Sequence, residues 1–251
     1  MSVNLASEAV AKPATGLFVV GTDTDIGKTY VTCLIARQLV SAGSIVGVYK
    51  PACSGAISLP DGSQSWGDIE ALYAATDGRF ERSLICPQRF VAPCAPPVAA
   101  AMEGCRVDDQ RLTSGCELWH DRCEILLVEG AGGLLSPVSE ESTVGDVAGR
   151  IDYPLLLVAG AGLGTINHTL LTIEAIERRG LKLAGVILNE HTRCEDDQSV
   201  ATNWQELAKR TNAPILGRIG HGGTEVLRDD GGSARIDWLN IVHSSGHSAR
   251  E

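Results

Sequence analysis

The sequence predicts an α/β protein with a doubly wound, mostly parallel β-sheet. Short apolar runs typical of buried parallel strands recur along the chain, and segments with helical spacing lie between several of them. Such alternation of strand and helix is typical of a sheet covered by helices on both faces. The predicted strands are residues 17–20, 45–49, 125–128, 155–159, 184–188 and 215–216, and the predicted helices are residues 29–40, 68–75, 166–179 and 199–211.

The chain is also long enough to predict its domain organisation. Its 251 residues suffice for one sizeable α/β core, so we expect a single domain over residues 16–251. Residues 1–15 have neither a basic start nor a long apolar stretch, and we interpret them as a flexible N-terminal extension. Residues 60–67 have the composition of a loop. Residues 87–97 contain four prolines, which favours a structured cover over one face rather than a regular helix or central strand.

Composition limits the class of partner. The chain has 21 Lys and Arg against 31 Asp and Glu, a net charge of −10, which argues against a sequence-independent nucleic-acid surface. No stretch approaches the roughly 18 uninterrupted apolar residues of a membrane span, so we expect a cytoplasmic protein with small, partly polar partners. The eight cysteines include no Cys-x-x-Cys pair, and most are predicted to be small buried residues rather than disulfide halves or zinc ligands.

The first predicted strand leads into the sequence GTDTDIGKT, residues 21–29, at an edge of the sheet where ligands collect. Gly27, Lys28 and Thr29 open a helix, so backbone N–H groups and the helix dipole favour an anion there. Lys28 is predicted to reach the outer phosphates of a nucleotide, and the Thr29 hydroxyl to bind Mg²⁺. A plain strand-to-helix turn with a capping threonine is the alternative.

Two features of this stretch are unusual for a phosphate loop. Five residues separate Gly21 from Gly27, whereas the ordinary P-loop has four between its glycines. Asp23 and Asp25 also place carboxylates close to the expected phosphates. We hypothesise that Asp25 lies at the edge of the loop and faces a cation or polar amine.

Acidic residues near the loop are candidate magnesium ligands, because Mg²⁺ bound to phosphates keeps only one or two carboxylates. Glu129 ends an apolar strand and enters Gly130-Ala-Gly-Gly133, whose glycines let the backbone approach a ligand. Asp68 precedes a helical stretch. A simple turn at Glu129 and an ordinary helix N-cap at Asp68 are the alternatives.

Two further segments follow predicted strands. Lys50 ends the second strand, and a lysine that faces a phosphoryl group stabilises the charge that develops during transfer. A solvated lysine is the alternative. Gly162 and Gly164 free the backbone before a helix whose first N–H groups, from Ile166 onward, suit a carboxylate. A glycine-rich helix start that binds nothing is the alternative there.

Taken in order, these motifs resemble the dethiobiotin synthetase family, ATP-dependent enzymes that close the ureido ring in biotin biosynthesis. The resemblance covers roughly residues 17–217. It is carried by GTDTDIGKT at residues 21–29, YKP at 49–51 with SG at 54–55, VEGAGG at 128–133, LGTINH at 163–168 with LT at 171–172, and AGVILN at 184–189.

The resemblance implies a P-loop NTPase-like fold and a homodimer with its active site at the subunit interface. It implies a reaction in which 7,8-diaminononanoate, CO₂ and ATP give dethiobiotin, ADP and phosphate. An amine takes up CO₂ as a carbamate, the γ-phosphoryl group moves onto the carbamate to form a carbamic-phosphoric anhydride, and the second amine displaces phosphate.

The same resemblance assigns roles to individual residues. Lys50, Lys28 and Thr24 are catalytic, and Thr29, Asp68 and Glu129 bind magnesium. Ser54 contacts the substrate head, and Leu163, Gly164, Thr165 and Asn167 contact the substrate carboxylate from the neighbouring subunit. The nucleotide is bound by Asp25, Ile26, Gly27, Lys28, Thr29, Tyr30, Asp68, Glu129, Gly130, Ala131, Gly132 and Asn189, with Asn189 at the adenine.

The sequence departs from the family pattern at residues 219–223, where Ile-Gly-His-Gly-Gly replaces a segment with Ile-Pro, and at Pro97, where a histidine often stands. Two other functions are the alternatives. Synthetases that amidate corrinoid side chains carry a glutaminase portion, for which this chain has little room. Partitioning-type ATPase switches carry a signature lysine early in the loop, where this chain has Asp23 and Asp25.

Overall fold

The computed structural model describes Pro13 and residues 15–192 and 197–243. The predicted flexible extension at residues 1–15 therefore lies outside the described residues, apart from Pro13 and Thr15. Pro13 is buried, and its carbonyl accepts a hydrogen bond of 2.5 Å from the hydroxyl of Tyr153. Cys194 also lies outside the described residues.

The described strands form one large sheet and one small hairpin. The large sheet has six parallel strands in the order β2-β5-β1-β6-β7-β8, and β3 pairs with β4 antiparallel. The strands are β1 Thr15–Gly21, β2 Val46–Tyr49, β3 Ile57–Ser58, β4 Gln64–Ser65, β5 Ile125–Gly133, β6 Leu155–Gly160, β7 Leu183–Asn189 and β8 Ile215–Ile219.

All six predicted strands are confirmed as members of the large sheet. β1 and β6 lie at its centre, where residues 17–20 and 155–159 have no exposed area. Each such buried aliphatic side chain contributes about 1.5–3 kcal/mol relative to an exposed one, which is why these runs are continuously apolar. β5 extends past its apolar run into the glycines at residues 130–133, which the apolar pattern alone does not indicate.

The helices follow the expected alternation. They are α1 Lys28–Ser41, α2 Gly67–Ala75, α3 Arg82–Ile85, α4 Pro96–Met102, α5 Arg111–Ser114, α6 Val144–Ile151, α7 Thr165–Arg178, α8 Val200–Ala208 and α9 Trp238–His243, with a 3₁₀ helix at Gly115–Trp119. The four predicted helices correspond to α1, α2, α7 and α8. Within the described ranges, no helix has the length and apolar character needed to cross a lipid bilayer.

Two predicted loop segments contain regular structure. Residues 60–67 include β4, half of the small hairpin. Residues 87–95 are irregular, as predicted, but Pro96 and Pro97 begin α4, so the expectation of no helix there was wrong at its end. Proline fits the first turn of a helix, where its missing N–H has no intrahelical partner to lose.

The order of the strands determines where ligands collect. The connection from β1 leads to β2 on one side of the sheet, and the connection from its neighbour β5 leads to β6 on the other. Since such crossovers are right-handed, α1 and α6 cover opposite faces and the sheet is doubly wound. The switch point therefore lies between the carboxyl ends of β1 and β5, where residues 21–29 and Glu129 meet.

The cysteines behave as predicted for most positions. Five are buried, at positions 33, 53, 86, 116 and 123, whereas Cys94 is partly exposed and Cys105 is exposed. Burial raises the pKa of the Cys33 thiol to about 12 and that of Cys53 to about 11. These thiols are therefore small core side chains in their neutral form.

Candidate active site

The loop between β1 and α1 closes tightly on a neighbouring strand. Gly27 has a φ of 91°, a left-handed conformation, directly before α1 begins. A Cβ at Gly27 would collide with the side-chain amide of Asn189, the last residue of β7. Asn189 is buried, and its Nδ2 donates a hydrogen bond of 2.9 Å to the carbonyl of Ile26. The motif glycine is thus required by both conformation and space.

Lys28 folds back over the loop. Its Nζ donates a hydrogen bond of 2.8 Å to the carbonyl of Asp23, and only 6% of the residue is exposed. Burial, followed by the positive charge of Lys50, lowers the pKa of Lys28 to about 8. A bound anion would raise the pKa of this amine again, because a nearby negative charge favours its protonated form.

Lys50 lies between two carboxylates. Its Nζ is 2.5 Å from Glu129 Oε1 and 2.6 Å from Asp68 Oδ2, and its side chain is 4% exposed. Burial alone would lower the pKa of Lys50, but Glu129 and Asp68 raise it well above its ordinary value. Lys50 is therefore a fixed positive charge rather than a base.

Thr29 and Glu129 meet across the switch point. Thr29 Oγ1 donates a hydrogen bond of 2.6 Å to Glu129 Oε1, the same oxygen that contacts Lys50. The other oxygen, Glu129 Oε2, is buried and has no hydrogen-bond partner among the described residues. A buried carboxylate oxygen without a donor can accept a cation.

Asp68 brings a second carboxylate to the same point from the first turn of α2. Burial would raise the pKa of Asp68, but the charge and hydrogen bond of Lys50 lower it below its usual value. Its side chain is 44% exposed, so it faces the cleft. Among the described residues, no group of three or more His, Cys, Asp or Glu side chains forms a metal site. A cation here would therefore bind two carboxylates, the Thr29 hydroxyl and oxygens from a ligand.

Asp25 and Thr24 stand at the edge of the loop. Both are exposed, and Asp25 has a φ of 54°, a left-handed conformation that aspartate adopts more readily than most residues. Both line a cleft of about 190 Å³, and Lys28, Lys50 and Asp68 line it too. Asp25 therefore lies beside the two lysines at the edge of the cleft.

A second cavity of about 450 Å³ adjoins this cleft. Ser54 lines both cavities and donates a hydrogen bond of 2.5 Å to the carbonyl of Cys94. Pro93 and Pro96 line the second cavity, so the predicted proline-rich cover does border the site. The cavity has more apolar than polar lining, which suits a hydrocarbon chain.

The glycines after Glu129 divide between two roles. Ala131 and Gly132 line the 190 Å³ cleft, and Gly132 has a φ of 81°. Gly130 is buried instead, and a Cβ there would lie 2.5 Å from Val144 of α6. Close packing against α6 therefore explains why a glycine stands at position 130. Its contact with the nucleotide stays a prediction.

Tyr30 lies one turn into the phosphate-loop helix and is 36% exposed. Its hydroxyl donates a hydrogen bond of 2.8 Å to the carbonyl of Gly223. That bond ties the segment in which the sequence departs from the family pattern to the start of α1.

The predicted carboxylate-binding loop lies on the other side of the phosphate loop. Leu163 is 88% exposed, and its N–H donates a hydrogen bond of 2.7 Å to Asp197 Oδ2. Leu163 and Thr165 line a cavity of about 400 Å³ together with Thr24 and His191, and Asn167 is exposed on α7. The loop thus shares Thr24 with the cleft but does not line the cleft itself.

Sequence reasoning missed several residues of the site. Cys53 lines the cleft beside Lys50, and Ser136 lines the second cavity and accepts a hydrogen bond of 2.9 Å from the N–H of Gly133. Cys53 lies inside the Lys-Pro-x-x-Ser-Gly stretch, three residues after Lys50, and this closeness in sequence could have indicated that it lines the cleft. Ser136 closely follows the glycine-rich residues 130–133, and a polar residue at that place could have indicated that it lies near the site.

The sequence of this chain is similar to a known family and to several known proteins. A family model described as an AAA domain matches residues 15–222. An ATP-dependent dethiobiotin synthetase of Anaeromyxobacter sp. (strain Fw109-5) is 44% identical over 82% of this chain and 90% of that protein. The enzyme of the same name from Rhodopirellula baltica is 35% identical over 93% of this chain and 92% of its own. One from Escherichia coli O157:H7 is 34% identical over 80% and 88%.

Proposed function

Because this chain belongs to the family of ATP-dependent dethiobiotin synthetases, we propose that its cleft performs the reaction of that family with Lys50 as the central charge. The chain is a ligase of biotin biosynthesis that forms C–N bonds and uses ATP as a co-substrate. It carboxylates 7,8-diaminononanoate with CO₂ and closes the ring to give dethiobiotin, ADP and phosphate. The observation that carries the assignment of roles is the buried Lys50, held between Glu129 and Asp68 beside the phosphate loop.

The two lysines have different tasks in this mechanism. Lys28, whose pKa is about 8, gains its full charge when ATP phosphates approach, and it holds the outer phosphates with Thr24 nearby. Lys50 stays protonated and faces the carbamate, so it stabilises negative charge on the carbamate and then on its phosphorylated form. Neither lysine removes a proton. Each acts by electrostatics.

Magnesium is part of the proposal. Thr29, Asp68 and Glu129 would hold it, and the unpartnered Oε2 of Glu129 supports that set. When bound there, Mg²⁺ would offset negative charge on the phosphate groups of the nucleotide. Lys50 contacts the same two carboxylates, so in this proposal it would share Glu129 and Asp68 with the metal and keep its positive charge beside the cleft.

The diamine is proposed to lie along the second cavity. Ser54 at the junction of the two cavities contacts the diamine head, and Asp25 at the edge of the loop attracts its amines. The apolar lining near Pro93 receives the alkyl chain. Asn189 is proposed to contact the adenine, in addition to its hydrogen bond with the loop.

A homodimer completes the proposed site. Leu163, just before α7, is 88% exposed, and Leu171, on α7, is 56% exposed. Two exposed leucines close together suit a face that a second subunit covers. The loop at residues 163–167 would then receive the carboxylate of substrate bound in the partner. Residues 16–251 are proposed to act as one domain, and the described cysteines, none of which is in a disulfide, suit a cytoplasmic enzyme.

The proposed function is tested by the dependence of phosphate release on substrates. Purified protein with ATP and Mg²⁺ is expected to release phosphate only when both 7,8-diaminononanoate and bicarbonate are supplied, because phosphoryl transfer requires the carbamate. Phosphate is measured continuously, and dethiobiotin is measured by mass spectrometry in the same reactions. Equal phosphate release with and without the diamine would overturn the proposal.

A further inference from the structure

Asn203 on α8 is buried and holds the segment that leads into α7. Its Nδ2 donates to the carbonyls of Ala161 at 2.7 Å and Gly162 at 3.0 Å, and it lies 3.2 Å from Ser199 Oγ. Only 3% of Asn203 is exposed. A single amide therefore fixes two consecutive carbonyls between β6 and α7.

Asp197 fixes the next residue. Its Oδ2 accepts a hydrogen bond of 2.7 Å from the N–H of Leu163, while its Oδ1 accepts one of 2.9 Å from the N–H of Ser199. The short stretch 161–163 is thus held by one side chain within α8, Asn203, and one that precedes it, Asp197. Nothing within the stretch itself provides those bonds.

These contacts decide which N–H groups remain for a ligand. The N–H of Leu163 is used by Asp197, and the N–H of Thr165 donates to the carbonyl of Gly162 at 3.3 Å. The first-turn N–H groups of Ile166 and Asn167 remain, since the first turn of a helix leaves its N–H groups without intrahelical acceptors. Their direction follows from the path of residues 161–164, where Gly164 has a φ of 92°.

We infer that Asn203 is a positioning residue for the substrate carboxylate: it orients the start of α7 by holding the carbonyls of Ala161 and Gly162. This inference rests on the proposed role of residues 163–167 in binding that carboxylate. Asn203 touches no substrate and takes no part in phosphoryl transfer. Its loss therefore weakens diamine binding and leaves nucleotide binding alone.

The experiment compares two substrates in two proteins. Asn203→Ala is assayed with 7,8-diaminononanoate and with the matching vicinal diamine that lacks the carboxylate. The variant is expected to raise KM for the carboxylate substrate about tenfold, with KM for ATP within about twofold of its original value. KM for the diamine without a carboxylate is expected to be the same in both proteins.

Controls make the outcomes distinct. Gln205→Ala removes another amide from α8, one that donates a hydrogen bond of 3.1 Å to Asp229, and it is expected to leave all KM values unchanged. Asn203→Ser, which keeps a donor and loses less volume, is assayed in parallel in case the alanine variant does not fold, and it is expected to show a smaller rise in the same KM. Thermal unfolding of each variant establishes that it is folded at the assay temperature.

The failures of the two ideas differ. If the unchanged protein uses both diamines with the same KM, the proposed role of the loop is wrong, and the inference falls with it. If that protein discriminates between them but Asn203→Ala raises KM for both equally, or for neither, the loop role stands and the positioning role of Asn203 is overturned.

Discussion

At the scale of single residues, the site is built from charges that come from distant parts of the chain. Lys50 follows β2, Glu129 lies in β5 and Asp68 lies in α2, yet they meet within 2.6 Å. Their positions at strand ends and a helix start were visible in the sequence. Their pairing was not, because it depends on β2 lying beside β5.

Replacing Lys50 tests its role as a fixed charge. Lys50→Ala is expected to lower kcat at least about 100-fold, because groups that stabilise developing charge commonly contribute that much. Nucleotide affinity is expected to change less, since Lys28 and the loop N–H groups are the groups proposed to hold the phosphates. Turnover is measured by dethiobiotin formation, and affinity by calorimetric titration with ADP.

The matched control for that experiment is Lys182→Ala, which removes an exposed lysine far along the chain from the cleft residues. It is expected to leave both turnover and affinity unchanged. Unchanged turnover in Lys50→Ala would remove this residue from the mechanism. A loss of ADP binding as large as the loss of turnover would instead make Lys50 a nucleotide ligand.

Asn203 and Cys53 show why some residues escaped prediction. A buried asparagine inside a helix has no distinctive sequence context, and its partners at positions 161 and 162 lie in another connection. Cys53 was correctly expected to be buried, but burial did not indicate that it lines a cleft. The roles of such residues depend on contacts with residues that are distant in the sequence, which the sequence alone does not reveal.

At the scale of elements, α6 is the main helix that the sequence analysis did not predict. Thr143 caps it: its hydroxyl accepts from the N–H of Asp146, whose carboxylate accepts from the N–H of Thr143 at 2.8 Å. Thr-x-x-Asp before an apolar helical spacing was a usable signal. The two glycines in an eight-residue helix obscured it.

Removing this cap is expected to cost stability. Thr143→Ala should lower the free energy of unfolding by about 1 kcal/mol, because it removes the hydroxyl that accepts a hydrogen bond from the N–H of Asp146 at the start of α6. Urea denaturation followed by circular dichroism measures the change. Thr172→Ala, at an interior position of α7, is the control, and it is expected to cost little because alanine favours a helix. Equal stability of Thr143→Ala and the unchanged protein would contradict the role of the cap.

At the scale of the whole molecule, the C-terminal segment at residues 220–243 braces the phosphate-loop helix at both ends. Tyr30 bonds Gly223 near the start of α1, and Trp238 Nε1 donates to Gln38 Oε1 at 2.8 Å near its end. No role for residues 222–251 was predicted from the sequence. Its composition did not indicate a role, because the segment has few buried apolar side chains, among them Trp238 and Val242.

Removing the larger anchor tests the brace. Trp238→Ala is expected to lower the free energy of unfolding by about 3–5 kcal/mol, as other large core truncations do, since Trp238 is only 4% exposed. Turnover well below the unfolding temperature is expected to stay within about twofold. Trp238→Phe keeps most of the packing and loses the hydrogen bond to Gln38, so it should cost about 1 kcal/mol. The midpoint of urea denaturation measures both, and a loss below 1 kcal/mol for Trp238→Ala would contradict the brace.

The register of the central strand has a consequence for how the protein is made. β1 and the phosphate loop are synthesised before both strands that pair with β1, which lie at residues 125–133 and 155–158. At roughly 5–20 residues per second, β1 waits several seconds for either neighbour, and its apolar residues stay unpaired meanwhile. The nucleotide site therefore assembles late in synthesis. Until β5 and β6 have been made, the apolar residues of β1 must be shielded by something other than their partners in the sheet.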